Sequence, residues 1–115
     1  ERLANIGKEG RGFLYYVSLR GVTGAGNIDV TDCAARVRRV HELTRLPVGV
    51  GFGIRDVQSA RAVGAVADAV VIGSALIQEM EKAGPGSASD RAAAFVAGIR
   101  RALDRTTDAM AAKTA

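Results

Sequence analysis

Cysteine and histidine each occur once in the 115 residues, proline twice, and tryptophan not at all. A lone Cys33 cannot close an intramolecular disulfide, so a reducing compartment, the cytoplasm, is the expected location. No run approaches the roughly 18 apolar residues that a membrane span needs. The opening Glu1-Arg2-Leu3-Ala4-Asn5 is not a secretory signal. With no Cys/His cluster and no carboxylate-rich loop, no metal site is expected. The first residue is not methionine and already lies in a helical pattern, which reads as the later part of something longer.

Aromatic residues are equally scarce, at 4%. The net charge is +4, from 16 basic and 12 acidic side chains. The arginines alternate with Ala, Val, Ile and Leu, as on a solvated helix face, and no aromatic is interleaved to stack a base. A nucleic-acid partner is therefore not expected, nor is a membrane. The amphipathic last helix suits covering a sheet better than lying on lipid.

What is present is an ordinary globular composition, 48% hydrophobic and 24% charged, which excludes disorder and allows one domain. Two periods alternate along it. Short, near-continuous apolar runs at Phe13–Ser18, Val48–Phe52 and Ala69–Ile72 predict strands buried on both faces, as in a parallel sheet. Between them, residues recurring every three or four positions predict helices. One uses Val30, Cys33, Ala34, Val37, Val40 and Leu43, with Asp29 as its N-cap and Leu46-Pro47 as its stop. Another runs from about Asp56 to Ala67 on Val57, Ala60, Val63 and Val66. A short helix covers roughly Ala75 to Lys82. After the loop Gly84–Ser87, a long helix carries Ala92, Val96, Ile99, Leu103 and Met110. With a first helix over Glu1 to about Lys8, the order is α-β-α-β-α-β-α-α. This is an α/β architecture with parallel strands and right-handed crossovers. Periodicity alone does not choose between an open doubly wound sheet and a (β/α)8 barrel.

Glycine is the abundant residue, and its placement is informative. Gly21, Gly24 and Gly26 follow the first strand, Gly51 and Gly53 the second, and Gly73 the third. Any one of them is accounted for by a tight βα turn. Three sets on successive strand ends point instead to backbone amides gathered around an anion. At Gly73-Ser74 a short extra helix begins where barrels commonly hold phosphate.

Three strings together resemble the tryptophan synthase α subunit family: Tyr15–Ala25 (YYVSLRGVTGA), Leu46–Arg55 (LPVGVGFGIR) and Asp68–Leu76 (DAVVIGSAL). The resemblance covers essentially the whole chain. It implies the C-terminal part of a (β/α)8 TIM barrel, strands six to eight with their helices. A whole barrel takes about 250 residues, so 1–115 would be a single fragment of one domain and the barrel as given incomplete. The family cleaves indole-3-glycerol phosphate to indole and glyceraldehyde 3-phosphate, in tryptophan biosynthesis. It acts in an α2β2 complex and has no cofactor of its own; pyridoxal phosphate belongs to the partner β subunit. Carried over residue by residue, the phosphate cradle falls on Gly24, Gly53, Gly73 and Ser74. The active-site loop falls on Leu19–Asn27 with Thr23 as its ordering residue, the substrate-facing tyrosine on Tyr15, and the indole pocket near Phe52.

One departure is decisive. The family's two catalytic carboxylates come from early strands, and no pair here replaces them. Glu79 and Glu81 lie beyond the phosphate turn, Asp29 and Asp56 read as caps, and Asp68 precedes its strand at the wrong end for chemistry. No catalytic residue is therefore expected in this chain, and alone it should be inactive. The first and third strands would be open edges, so self-association is expected. Another phosphate-binding barrel and a non-catalytic docking module remain alternatives. His41 reads as a surface or boundary residue, and Cys33 as a buried structural thiol. Tyr15 and Tyr16 must point to opposite faces of their strand; the resemblance selects Tyr15 as the inward one.

Overall fold

The computed structural model describes residues 1–17, 29–51 and 53–114, with side chains as far as residue 105. Its elements are α1 (Arg2–Glu9), β1 (Leu14–Val17), α2 (Val30–Thr44), β2 (Val48–Gly51), α3 (Val57–Gly64), β3 (Ala69–Val71), α4 (Ser74–Glu81) and α5 (Ala88–Thr114). This is the expected order.

Local chemistry sets the helix ends. Asp29 accepts the Asp32 amide at 3.1 Å and opens α2. Arg45 closes that helix in the left-handed region, at φ 60°, its amide bonded to the His41 carbonyl. A capping box opens α3: the Ser59 amide donates to Asp56 Oδ1 at 2.7 Å, and the Asp56 amide donates to Ser59 Oγ at 3.2 Å. The Ser59 amide and hydroxyl together hold the Asp56 carboxyl below its ordinary pKa. The expected loop before α5 is a turn with Gly86 at φ 88°.

The three strands form one parallel sheet in the order β1-β2-β3. Leu14 pairs with Val48 at one end, and Gly51 with Val71 at the other. Alternate side chains leave opposite faces of a strand. Leu14 and Tyr16, Val48 and Val50, and Val70 and Ile72 meet the helices, packing with Cys33, Val37, Val40, Ala60, Val63 and Ile99. Val48, Val50 and Val63 are fully buried. Each such valine stabilises the fold by about 1.5–3 kcal/mol over its exposed state. Burial also raises the pKa of the Cys33 thiol.

Only β2 is buried along its whole length. The expectation of two buried faces is corrected for β1 and β3, which alternate: Tyr15 is 54% and Val71 38% exposed. Among the described residues no layer covers that second face. The two glycines of β2 are shielded there by Phe13, just before β1, and by Tyr15 within it; a Cβ at Gly49 would lie 3.6 Å from the Phe13 ring. The helical stripes also turn slightly from expectation. Leu43, Val57 and Val96 are exposed, while Thr44 and Ala102 are buried. Thr44 satisfies its hydroxyl internally, donating to the Val40 carbonyl at 2.7 Å. The expected contribution of Met110 lies outside the described side chains.

Candidate functional site

Parallel strands deliver their C-terminal ends to one edge of the sheet, and a cleft of ≈ 430 Å³ opens there. Tyr15 and Val17 line it from β1, Gly53 from the segment after β2, and Val71, Gly73 and Ser74 from β3 and the start of α4. The volume is that of a small-molecule site.

Three features of the backbone shape this cleft. Gly53 has φ 83°, a left-handed conformation that glycine adopts without the steric cost of a Cβ. At Gly51 the Tyr15 ring occupies the space of a side chain: a Cβ there would sit 2.7 Å from Cε2 and 2.8 Å from Cζ. Tyr15 can therefore lie across β2 at the floor of the cleft. At Gly73 an added Cβ would meet nothing within 4 Å, so the main chain borders open space.

The start of α4 differs from the starts of α2 and α3. Those two are capped by Asp29 and Asp56, whereas the N-cap of α4 is Gly73, with no side-chain cap. Its first intrahelical bond runs from the Ile77 amide to the Gly73 carbonyl at 3.1 Å. The amides of Ser74, Ala75 and Leu76 precede that bond and have no acceptor within the helix. With the positive end of the helix dipole they favour an anion. The Ser74 hydroxyl is exposed beside them.

Tyr15, Gly53, Gly73 and Ser74 thus meet in one cleft. Thr23, Gly24, Phe52 and the segment Leu19–Asn27 lie outside the described residues. Tyr16 turns the other way, into the helix-facing core, where burial raises its pKa. Sequence reasoning missed the polar lining residues Arg55 and Gln78, and the apolar Val17, Ile54, Val71 and Ala75 with them. Gln78 was findable, because it stands one helical turn after Ser74. Arg55 follows Gly53 by two positions, but nothing in the sequence says that it borders the cleft.

The opposite end of the sheet carries a different constellation. His41 Nε2 lies 2.6 Å from Asp68 Oδ2, and the same oxygen accepts the Val48 amide at 2.8 Å. Burial pushes the Asp68 carboxyl up, but the Val48 amide and the His41 ring outweigh it, leaving the pKa below its ordinary value. This pair joins α2 to the starts of β2 and β3, far from the glycine ends. Its role is structural.

Among the described residues lining the cleft there is no carboxylate, imidazole or thiol. The arrangement can hold an anion and offers the hydroxyls of Tyr15 and Ser74. Among the described residues no group of three or more His, Cys, Asp or Glu could hold a metal ion. No described helix is long and apolar enough to cross a membrane.

Known proteins agree on the kinship of this chain. The family model for the tryptophan synthase alpha chain matches residues 1–105. The tryptophan synthase alpha chain of Laribacter hongkongensis is 59% identical over 103 residues, covering 90% of this chain and 39% of the relative. That of Janthinobacterium sp. is 54% identical over 104 residues, with 90% and 39% covered. The crystal structure of the tryptophan synthase alpha chain from Legionella pneumophila superposes with a TM-score of 0.72 at 30% identity, over 90% of this chain and 37% of that one. The chain therefore spans about two fifths of the length of the relatives it matches. Its sheet and helices are the C-terminal part of a (β/α)8 barrel, incomplete as given. The chain belongs to the tryptophan synthase alpha chain family.

Proposed function

We propose that this chain is the phosphate-holding part of a lyase α subunit. The whole subunit would cleave indole-3-glycerol phosphate to indole and glyceraldehyde 3-phosphate in cytoplasmic tryptophan biosynthesis. The observation that carries the reading is the convergence of Gly53, Gly73 and Ser74, from two successive βα turns, on one cleft with an uncapped helix start. In that cleft the substrate phosphate rests on the α4 amides and the Ser74 hydroxyl, and Tyr15 faces the remainder of the substrate. Gly24, Thr23 and Phe52 complete the site as cradle, ordering residue and indole contact.

The cleavage is a reverse aldol reaction. It needs an acid to protonate the indole ring carbon, a base for the glycerol hydroxyl, and a carboxylate to stabilise charge on the indole nitrogen. The described residues of the cleft's lining supply none of the carboxylates. They belong to the portion of the family's barrel outside this chain, a single-domain fragment, and the chain by itself is inactive. No cofactor binds here; pyridoxal phosphate belongs to the β subunit, which pairs with the whole subunit in an α2β2 complex. Exposed edges at β1 and β3 and an uncovered sheet face favour self-association of the chain.

The decisive experiment is complementation. The missing N-terminal portion is supplied in trans from a relative, and indole release from indole-3-glycerol phosphate is assayed. Release that requires both pieces is the expected result. No release from a reconstituted complex of native size refutes the assignment. Light scattering should show a dimer or larger species at micromolar concentration; a stable, well-folded monomer would refute the self-association.

A further inference from the structure

The described residues that line the cleft include three uncharged polar side chains, those of Tyr15, Ser74 and Gln78. Tyr15 and Ser74 have roles in the proposed site, and Gln78 has none. It stands four residues after Ser74 and three after Ala75, so these three share one face of α4. All three line the cleft. Ile77, next to Gln78 in the chain, is 57% exposed and lies outside that lining.

The anchoring of α4 explains which face meets the cleft. Glu79 accepts Lys82 Nζ at 2.7 Å and Arg91 Nε at 3.3 Å, and the second bond ties α4 to the start of α5. Successive residues leave a helix about 100° apart, so Gln78 projects away from the direction that Glu79 takes. Helical side chains lean towards the N-terminus and cover the turn before their own Cα. For Gln78 that is the turn of Ser74, where α4 begins without a side-chain cap. The carboxamide is exposed and has no partner among the described residues. It offers two N–H donors and one carbonyl acceptor.

We propose that Gln78 is a ligand-binding residue of this cleft, a neutral side chain that holds the anion from the flank of α4 beside the Ser74 hydroxyl. The proposal rests on the reading of the cleft as a phosphate site. The free amides of α4 point along the helix axis. Gln78 donates from the side, to oxygens that those amides leave open. A glutamate of the same shape would present only acceptors and a negative charge to the anion. The identity of residue 78 therefore tunes the affinity of the cleft for phosphate.

The test is titration of the chain with inorganic phosphate at low and high salt, followed by the amide resonances of Gly73 and Ser74. The parent is compared with Gln78→Ala, Gln78→Glu, Ile77→Glu and Gly73→Val. Gln78→Ala should weaken binding about two- to tenfold, the size of one lost hydrogen bond. The factor should be the same at both salt concentrations, because no charge is removed. Gln78→Glu should weaken it about tenfold or more, since repulsion adds to the lost donor. Ile77→Glu places the same charge one residue away, outside the cleft, and should cost less than about twofold once screened. Gly73→Val should abolish binding while the fold stays intact, since its Cβ enters open space. If Gly73→Val loses phosphate and Gln78→Ala binds like the parent, the cradle stands and the Gln78 assignment falls. Equal losses in Ile77→Glu and Gln78→Glu would assign the effect to charge near the helix start and overturn a contact at position 78. If Gly73→Val binds like the parent, or the parent does not bind phosphate at millimolar concentration, the phosphate reading is itself overturned, and the role of Gln78 with it.

Discussion

Removing the carboxylate of Asp68 should destabilise the chain much more than removing the imidazole that pairs with it. Oδ2 of Asp68 serves two donors, the Val48 amide at 2.8 Å and His41 Nε2 at 2.6 Å. The two differ in what they leave behind. Val48 is 0% exposed, so Asp68→Ala strands a buried backbone donor, at a cost of about 1–3 kcal/mol. The His41 and Asp68 side chains are 39% and 47% exposed, so their ion pair is screened and worth about 0–1 kcal/mol. Asp68→Asn retains an oxygen for the Val48 amide and should fall between the two. Urea unfolding followed by far-UV circular dichroism measures all three variants, with an unchanged m-value as the check that the same transition is compared. His41→Ala costing as much as Asp68→Ala, or Asp68→Ala costing under about 0.5 kcal/mol, would refute the argument from the buried amide.

The same carboxylate links stability to pH. Its folded pKa lies below its ordinary value, which is about 3.9. The folded state thus binds the proton less readily than the unfolded chain does. The stabilisation is therefore complete above the unfolded value and is lost as pH falls through the lower folded one. Asp68→Asn should flatten the acid limb of the stability curve; an acid limb identical to the parent's would assign it to other carboxylates, such as Asp56.

Three further outcomes are expected. Gly51→Ala places a Cβ against the Tyr15 ring, and because Tyr15 is half-exposed the ring should swing into the cleft. The cost should be near the low end of overpacking, about 1 kcal/mol, with a changed tyrosine signal in near-UV circular dichroism; an unaltered spectrum counts against the contact. Ser74→Ala should weaken phosphate binding only about two- to tenfold, because amides supply the other donors. A hundredfold loss would shift the site's main donor to the hydroxyl. Cys33 is 1% exposed, with its thiol pKa raised by burial, so a disulfide reagent should label it stoichiometrically in guanidinium and hardly at all in the native state. Rapid native labelling would show that α2 does not pack as described.

Much of this architecture was legible in residue order. Asp29 and Asp56 announced two helix starts because a short carboxylate before an apolar period caps free amides. The short apolar run around Val48 and Val50 announced a strand because such a run, bounded by turn residues, fits an extended segment under cover. Gly53 and Gly73, placed after successive strands, announced the cleft at one edge of a parallel sheet. The misread positions share one cause. Tyr15, Val17 and Val71 look buried as a string, yet the face they share has no covering layer among the described residues. Leu43, Val57 and Val96 fit a helical period as well as their buried neighbours do. Which of two adjacent apolar residues turns inward depends on how each helix sits on the sheet, a choice made by packing.

The amino-acid order by itself determined the element sequence, the parallel sheet, the caps and the glycine-bearing strand ends, since each follows from interactions within a few residues. Only the tertiary structure decided that Gly53, Gly73, Ser74 and Tyr15 share one cleft, that Arg55 borders it, and that Asp68 reaches back 20 residues to the amide of Val48. Those are distances between segments remote in sequence. They are set by strand register and helix packing, which no local pattern encodes.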